Sequence, residues 1–289
     1  MGAPSEAGHR ASVATTPVHS LTPVSRPGRF RSFYQQHTTG FLTVISLAGG
    51  LAVWEIVGHN VSHLEFVPLE SVWDAFITQV KSGALGHDVA VSSETFIIGL
   101  LLAAVGGIII GALMATSRLL YGLLDPWVSA LRSTPLITLA PLFIVTFGIS
   151  TLGRVPVVVL ISIFPIIVNT ADGMRRTDPA LIECARSFNA KRIVIYTRVL
   201  FPSSLPFIVS GLRLGISQAL IGVVVAEFFG SSAGVGYMVF QAAQSFNVGT
   251  VFMGVIILAA VGTILSKLMT ALERAAAPWR DLGVSGAGK

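Results

Sequence analysis

Residues 171–202, ADGMRRTDPALIECARSFNAKRIVIYTRVLFP, form a short, basic, polar interruption between two long apolar runs. Asp178 suits a helix N-cap, and Pro179 then takes the first helical position, where its missing N–H costs nothing. Leu181, Cys184, Ala185 and Phe188 follow at i, i+3, i+4 and i+7, which is one apolar helix face. The other face carries Glu183 and Arg186, three apart and able to pair. Asn189 tolerates the left-handed conformation that ends helices. A second basic segment, 191–198, then runs into Phe201 and Pro202. On composition alone, the stretch also reads as an ordinary charged cytoplasmic loop of a membrane protein.

The composition around it is that of an integral membrane protein: 53% hydrophobic, 11% charged, mean hydropathy +0.77. Apolar runs near 41–58, 95–116, 127–148, 155–171, 204–227 and 249–271 each approach the length that crosses a hydrocarbon core of about 30 Å. The expected fold is therefore all-α, with about six transmembrane helices. Pro135 and Pro141 interrupt the third run and the fourth is short, which predicts kinked or tilted helices there. Arg10, Arg26, Arg29 and Arg31 precede the first run, Arg118 follows the second, basic residues fill 175–198, and Arg274, Arg280 and Lys289 follow the last; the alternate loops hold only Lys81 and Arg154. This asymmetry predicts a multi-pass membrane protein with both termini and the helix of Glu183 on the cytoplasmic side. The acidic segment 59–94 faces outward, and 65–92 has the spacing of an amphipathic surface helix. The predicted organisation is a disordered cytoplasmic tail over 1–33, the first span with the outer amphipathic segment over 34–93, a core over 94–275, and a cytoplasmic tail over 276–289. No cleavable signal peptide is expected, since the first apolar run starts near Phe41 and lacks a small-residue cleavage site.

No G-x-x-x-x-G-K-[ST] occurs, and the glycine cluster at 230–236 lacks the lysine a phosphate loop needs. That cluster reads as a tight turn or re-entrant loop between the last two spans, or as a simple helical hairpin. Paired carboxylates, an H-E-x-x-H motif and a nucleophile elbow are all missing, so no catalytic residue and no metal ligand is expected. His59 and His63, four apart, are an incidental pair. Cys184 is the one cysteine, which excludes an intrachain disulfide and makes it a packing residue. Nothing suggests a nucleic-acid partner.

Glu55, Arg132, Arg213 and Glu227 lie within the apolar runs, where each ionisable group costs on the order of 2.5–3.5 kcal/mol. Arg132 and Arg213 read either as snorkelling residues near the cytoplasmic ends of their spans or, with Glu227, as groups facing a central pathway that favours an anion. Helix breakers and small residues at Pro135, Pro141, Gly148, Pro165, Pro206, Gly211 and Gly215 suit a bundle that changes its packing.

The spacing Glu183-Cys184-Ala185, then Asn189, then Val199-Leu200-Phe201-Pro202 resembles the EAA loop of binding-protein-dependent ABC importer permeases, E-A-A, three residues, G, nine residues, I-x-L-P. Glu183, Ala185 and Pro202 match outright; Cys184 replaces Ala, Asn189 Gly, Val199 Ile and Phe201 Leu. Val67-Pro68, 90–93, Asp125-Pro126, 132–135, Phe147-Gly148, Asn169-Thr170 and Ala226-Glu227 resemble the sulfonate, taurine and nitrate branch, so the likeness runs from about 68 to 274. It implies a type I ABC importer permease fold, with 172–202 as the cytoplasmic coupling loop. Two ATPase subunits, which hold ATP and Mg, would grip Leu181, Glu183, Cys184, Ala185, Phe188, Asn189 and Pro202. It further implies a permease homodimer embedded in the lipid of the bacterial cytoplasmic (inner) membrane, an extracytoplasmic substrate-binding protein, no catalysis on this chain, and a small anionic organic solute as cargo. Related carriers for a pyrimidine precursor, an aromatic carboxylate or bicarbonate are the alternatives within the family, and an ATP-independent secondary transporter is the alternative outside it.

Overall fold

The computed structural model describes residues 29–62 and 64–276; the readings placed on residues 1–28, on His63 and on 277–289 lie outside them. The chain divides into two compact units, Met1–Val53 and Trp54–Lys289. In the first, the described part belongs to helix α1 (Arg29–Asn60), whose stretch from Phe41 is apolar and almost wholly exposed, as suits a helix facing lipid. The tail boundary expected at 33/34 falls inside this helix.

The second unit continues with α2 (Leu69–Lys81), α3 (Ala84–Thr116), α4 (Arg118–Ser133), a 3₁₀ turn (Leu136–Leu139), α5 (Ala140–Phe147), α6 (Thr151–Arg175), α7 (Pro179–Ser187), α8 (Arg192–Ile195), a π-turn (Tyr196–Leu200), α9 (Phe201–Gly230), α10 (Val235–Gln244) and α11 (Val248–Ala276). No strand occurs among the described residues. The amphipathic segment is shorter than expected: Gly83, at φ +75°, turns the chain between α2 and α3. Residues 84–93 therefore open the second span instead of lying on the surface, and the boundary expected at 93/94 falls within α3.

Among the described residues five helices are long and apolar enough to cross a membrane, and the pair formed by α4 with the 3₁₀ turn and α5 makes up to six. That pair bends by 90°. Pro135 supplies the break, because the residue before a proline is pushed out of the helical region: Thr134 is extended, at ψ 139°.

Helix α6 is the most buried span. Its bulky side chains fill two seams of small residues, and the registers fix the direction of its neighbours. Cβ atoms added at Gly99, Gly107 and Gly111 of α3 would meet Val158, Ile166 and Thr170 within 2.6–2.8 Å. Those pairs keep one sequence offset, so α3 and α6 run parallel. On the other flank Gly211 meets Asn169, Gly215 meets Ile166 and Gly222 meets Val158, a descending series that makes α9 antiparallel to α6. Close backbone approach of this kind is how helices associate where lipid removes the hydrophobic drive.

The far end of the bundle is closed by aromatic packing. Trp54, Phe66 and Phe252 form a triangle with centroids 4.9–5.1 Å apart, and the Trp54 indole N–H donates to the Val67 carbonyl at 3.1 Å. Glu55 is placed here too: Oε2 accepts from the Leu69 N–H at 3.1 Å, so this acid caps the start of α2.

Candidate coupling segment and buried polar cluster

Helix α7 is built as its sequence dictates. The Asp178 carboxylate accepts from the Ala180 N–H at 2.9 Å, and Pro179 occupies the first turn. At the other end Asn189 is left-handed, with φ +54°. Asn189 N–H donates to Arg186 O at 2.8 Å and Ala190 N–H to Ala185 O at 3.1 Å, the paired bonds of a Schellman cap. The expected Glu183–Arg186 ion pair does not form among the described residues; Glu183 is exposed and contributes its carbonyl to the Ser187 hydroxyl at 3.0 Å. Of the predicted apolar face, Leu181 (51% exposed), Cys184 and Phe188 (83%) are open while Ala185 is half-buried. No residue of α7 is buried.

Pro202 sits in the first turn of α9, directly after the π-turn. It lacks an N–H and its ring crowds the carbonyl four residues back, which accounts for the local widening of the helix. The Tyr196 hydroxyl lies 3.4 Å from the Thr116 carbonyl, which ties this region to the end of α3.

The three pathway candidates are not brought together. Arg132 is exposed at the end of α4, fourteen residues into a span that begins at Arg118 instead of near 127. It lines a recess under the α4–α5 bend with Thr134, Pro165 and Gln218, and a second one with Asp125, Ser129 and Asp172. Arg213 is half-buried, twelve residues into α9. Arg213 thus lies well inside its helix, whereas Arg132 closes the last turn of α4, at the bend.

Glu227 is fully buried (0% exposed) and faces the start of α10. Oε2 accepts from the Gly236 N–H at 2.7 Å, and Oε1 accepts from the Ser92 hydroxyl at 2.7 Å. Ser92 Oγ accepts in turn from the Val235 N–H at 2.8 Å, while Asp88 Oδ1 takes the Gly234 N–H at 2.8 Å. Three successive N–H groups at a helix N-terminus thus meet two carboxylates and a hydroxyl, the polarity that such a terminus favours. Arg154 of α6, also buried, donates to the Ser231 hydroxyl at 2.5 Å and to Thr151 Oγ1 at 3.1 Å. Sequence reading missed Asp88, Ser92 and Arg154 as a group. The available signal was Asp88 and Ser92 at i, i+4 on one helix face, together with an arginine opening an apolar run. Among the described residues no cluster of His, Cys, Asp or Glu has metal-binding geometry.

A bundle of membrane-length helices around a sandwiched α6, with a capped nine-residue helix left bare beside it, defines a multi-pass helical membrane protein. The chain belongs to the binding-protein-dependent transport system inner membrane component family, which it matches over residues 107–277. Members are non-catalytic permease subunits of ABC transporters and work with separate ATPase components. A Bacillus subtilis (strain 168) protein named as an aliphatic sulfonates transport permease is 35% identical over 233 residues, 80% of this chain and 84% of that one. A nitrate import permease protein of Leptolyngbya laminosa is 28% identical over 234 residues, 78% and 84% of the two chains. These relatives are of the sulfonate, taurine and nitrate branch. Among solved structures, the inward-facing MetNI methionine ABC transporter superposes with a TM-score of 0.58 at 18% identity, covering 64% of this chain and 92% of that chain. That likeness shows the shared fold.

Proposed function

We propose that two copies of this chain form the pathway of an ATP-driven importer for a small anion of the sulfonate, taurine or nitrate kind, and that α7 is the helix through which two ATPase subunits, holding ATP and Mg, drive it. The observation that carries this reading is α7 itself. It is fixed at both ends, yet Leu181, Cys184 and Phe188 are left open by its own chain. A short helix in water is marginal by itself, and an exposed apolar face on a rigidly capped one suits a partner's groove. A substrate-binding protein docks at the end of the bundle that holds α10, and both termini lie in the cytoplasm with α7. The anionic cargo is supported by the names of the relatives and by Arg132, which shares its recess with Thr134 and Gln218.

Cys184 makes the test direct, because it is the one cysteine and is exposed on α7. A short thiol-reactive photocrosslinker placed there in the assembled transporter should capture the ATPase subunit, and Glu183→Ala should cut ATP-driven uptake at least tenfold. No cross-link together with unaltered uptake would sink the coupling role. For the cargo, Arg132→Gln and Arg213→Gln should each impair uptake of butanesulfonate, taurine or nitrate, whichever the wild type carries. Transport of a neutral pyrimidine precursor in their place would assign the chain to a different cargo.

A further inference from the structure

The cluster around Glu227 has no task in the coupling reading, and its placement gives it one. Asp88 and Ser92 lie near the start of α3, Arg154 near the start of α6 and Glu227 near the end of α9. The parallel and antiparallel registers put these ends in one layer, opposite the layer that holds α7. The turn at 231–234, SSAG, has little apolar substance to hold it. Side chains of three spans instead fasten this turn and the start of α10: Asp88 of α3 accepts from the Gly234 N–H and Arg154 of α6 donates to Ser231, while Ser92 of α3 and Glu227 of α9 accept from the Val235 and Gly236 N–H groups. The fit around the carboxylate is close: a Cβ on Gly234, at φ +121°, would lie 2.4 Å from Glu227 Cδ, and one on Gly236 2.9 Å from Oε2. In a buried network of this kind, loss of one member leaves its partners unpaired.

Helix α9 joins this layer to the other. It runs unbroken for 30 residues, about 45 Å at 1.5 Å per residue, from the π-turn behind α7 to the turn at Ser231. Its small-residue seam against α6 leaves little room for slip. We propose that Glu227 is a positioning residue of the transport cycle: with Ser92, Asp88 and Arg154 it fastens α10 to the ends of α3, α6 and α9, so that displacement begun at α7 arrives at α10 as rigid-body motion. Packed elements that move as one body transmit small shifts over such distances. Without the lock, the same displacement is absorbed in the 231–234 turn.

The inference rests on the coupling role of α7. Its test is the ratio of solute taken up to ATP hydrolysed, measured in proteoliposomes holding the complete transporter with its binding protein, using the solute the wild type carries. Glu227→Ala should lower that ratio at least fivefold and Ser92→Ala at least threefold, with the assembled complex still hydrolysing ATP. Glu227→Gln keeps a carbonyl acceptor for the Gly236 N–H and an amide that reaches Ser92, and should stay within twofold of wild type. A role limited to stability would lower the amount of complex, uptake and hydrolysis in proportion and leave the ratio alone; a wild-type ratio in Ser92→Ala and in whatever Glu227→Ala complex assembles overturns the proposal. The two readings fail separately. An absent Cys184 cross-link together with unaltered uptake in Glu183→Ala removes the coupling role, while an unchanged ratio with the cross-link intact removes only the lock.

Discussion

Asp178 and Asn189 bracket a helix of nine residues, none of them buried, so its order depends on its ends more than on packing. Replacing an N-cap aspartate by alanine costs about 1 kcal/mol. Asp178→Ala should therefore speed amide hydrogen exchange within α7 about fivefold while exchange in α6 and α9 stays as it was. Equal protection of α7 in the variant would mean that something other than the cap holds it. These local features were legible in sequence because cap, proline and left-handed asparagine act within a few residues of one another. Glu227 was legible only as an expensive acid in an apolar run. Its partner Ser92 is 135 residues away, and Arg154 meets Ser231 across 77; no local pattern announces pairings of that range. The same limit applies to Glu55, whose place in an apolar run suggested cost but not its use as the cap of α2.

At the scale of elements, six apolar runs were visible, but their roles were not equivalent in the way that runs of similar hydropathy suggest. Helix α6 is gripped on both flanks because α3 and α9 each present small residues at intervals of about four, and which face of a glycine-rich helix packs cannot be read without its partner. Two adjacent glycines separate the faces. A Cβ on Gly107 would lie 2.8 Å from Ile166 side-chain atoms and 3.2 Å from the Ile163 carbonyl, whereas one on Gly106 meets only the end of Ile163, at 3.4 Å. Gly107→Ala should thus destabilise by about 1–3 kcal/mol through overpacking. Gly106→Ala should be neutral or stabilising by up to about 1 kcal/mol, from helix propensity. Thermal unfolding midpoints of the two variants in detergent decide it: equal shifts would show that the seam is not the contact described. The prolines at 135 and 141 did signal a break in the third span. The 90° angle sets Thr134 and Pro135 across a shared recess from Pro165 of α6 and Gln218 of α9, which is tertiary information.

The bend bears on the topology of the whole molecule, because a sharply broken pair of half-helices either crosses a bilayer or returns to the side it entered. The registers choose between these. Helices α3 and α6 run parallel, with Gly99 against Val158 at one end and Gly111 against Thr170 at the other, so the chain must travel back across the bundle between Thr116 and Thr151. Only α4, the 3₁₀ turn and α5 lie in that interval, and together they make a full crossing despite the bend. The polar cluster agrees, since it gathers the start of α3, the start of α6 and the end of α9 in one layer, while Tyr196 reaches Thr116 in the other. Cys184 and α10 therefore belong to opposite ends of the bundle, and the orientation proposed from the excess of Lys and Arg around α7 puts α7 in the cytoplasm. A membrane-impermeant maleimide should label Cys184 in inverted vesicles and leave it unlabelled in intact spheroplasts. In a Cys184→Ala background, Gln244→Cys at the exposed end of α10 should show the reverse. Labelling of both positions from one side would mean that the α4–α5 pair turns back within the membrane, and labelling of each from the side opposite to that expected would overturn the orientation drawn from charge.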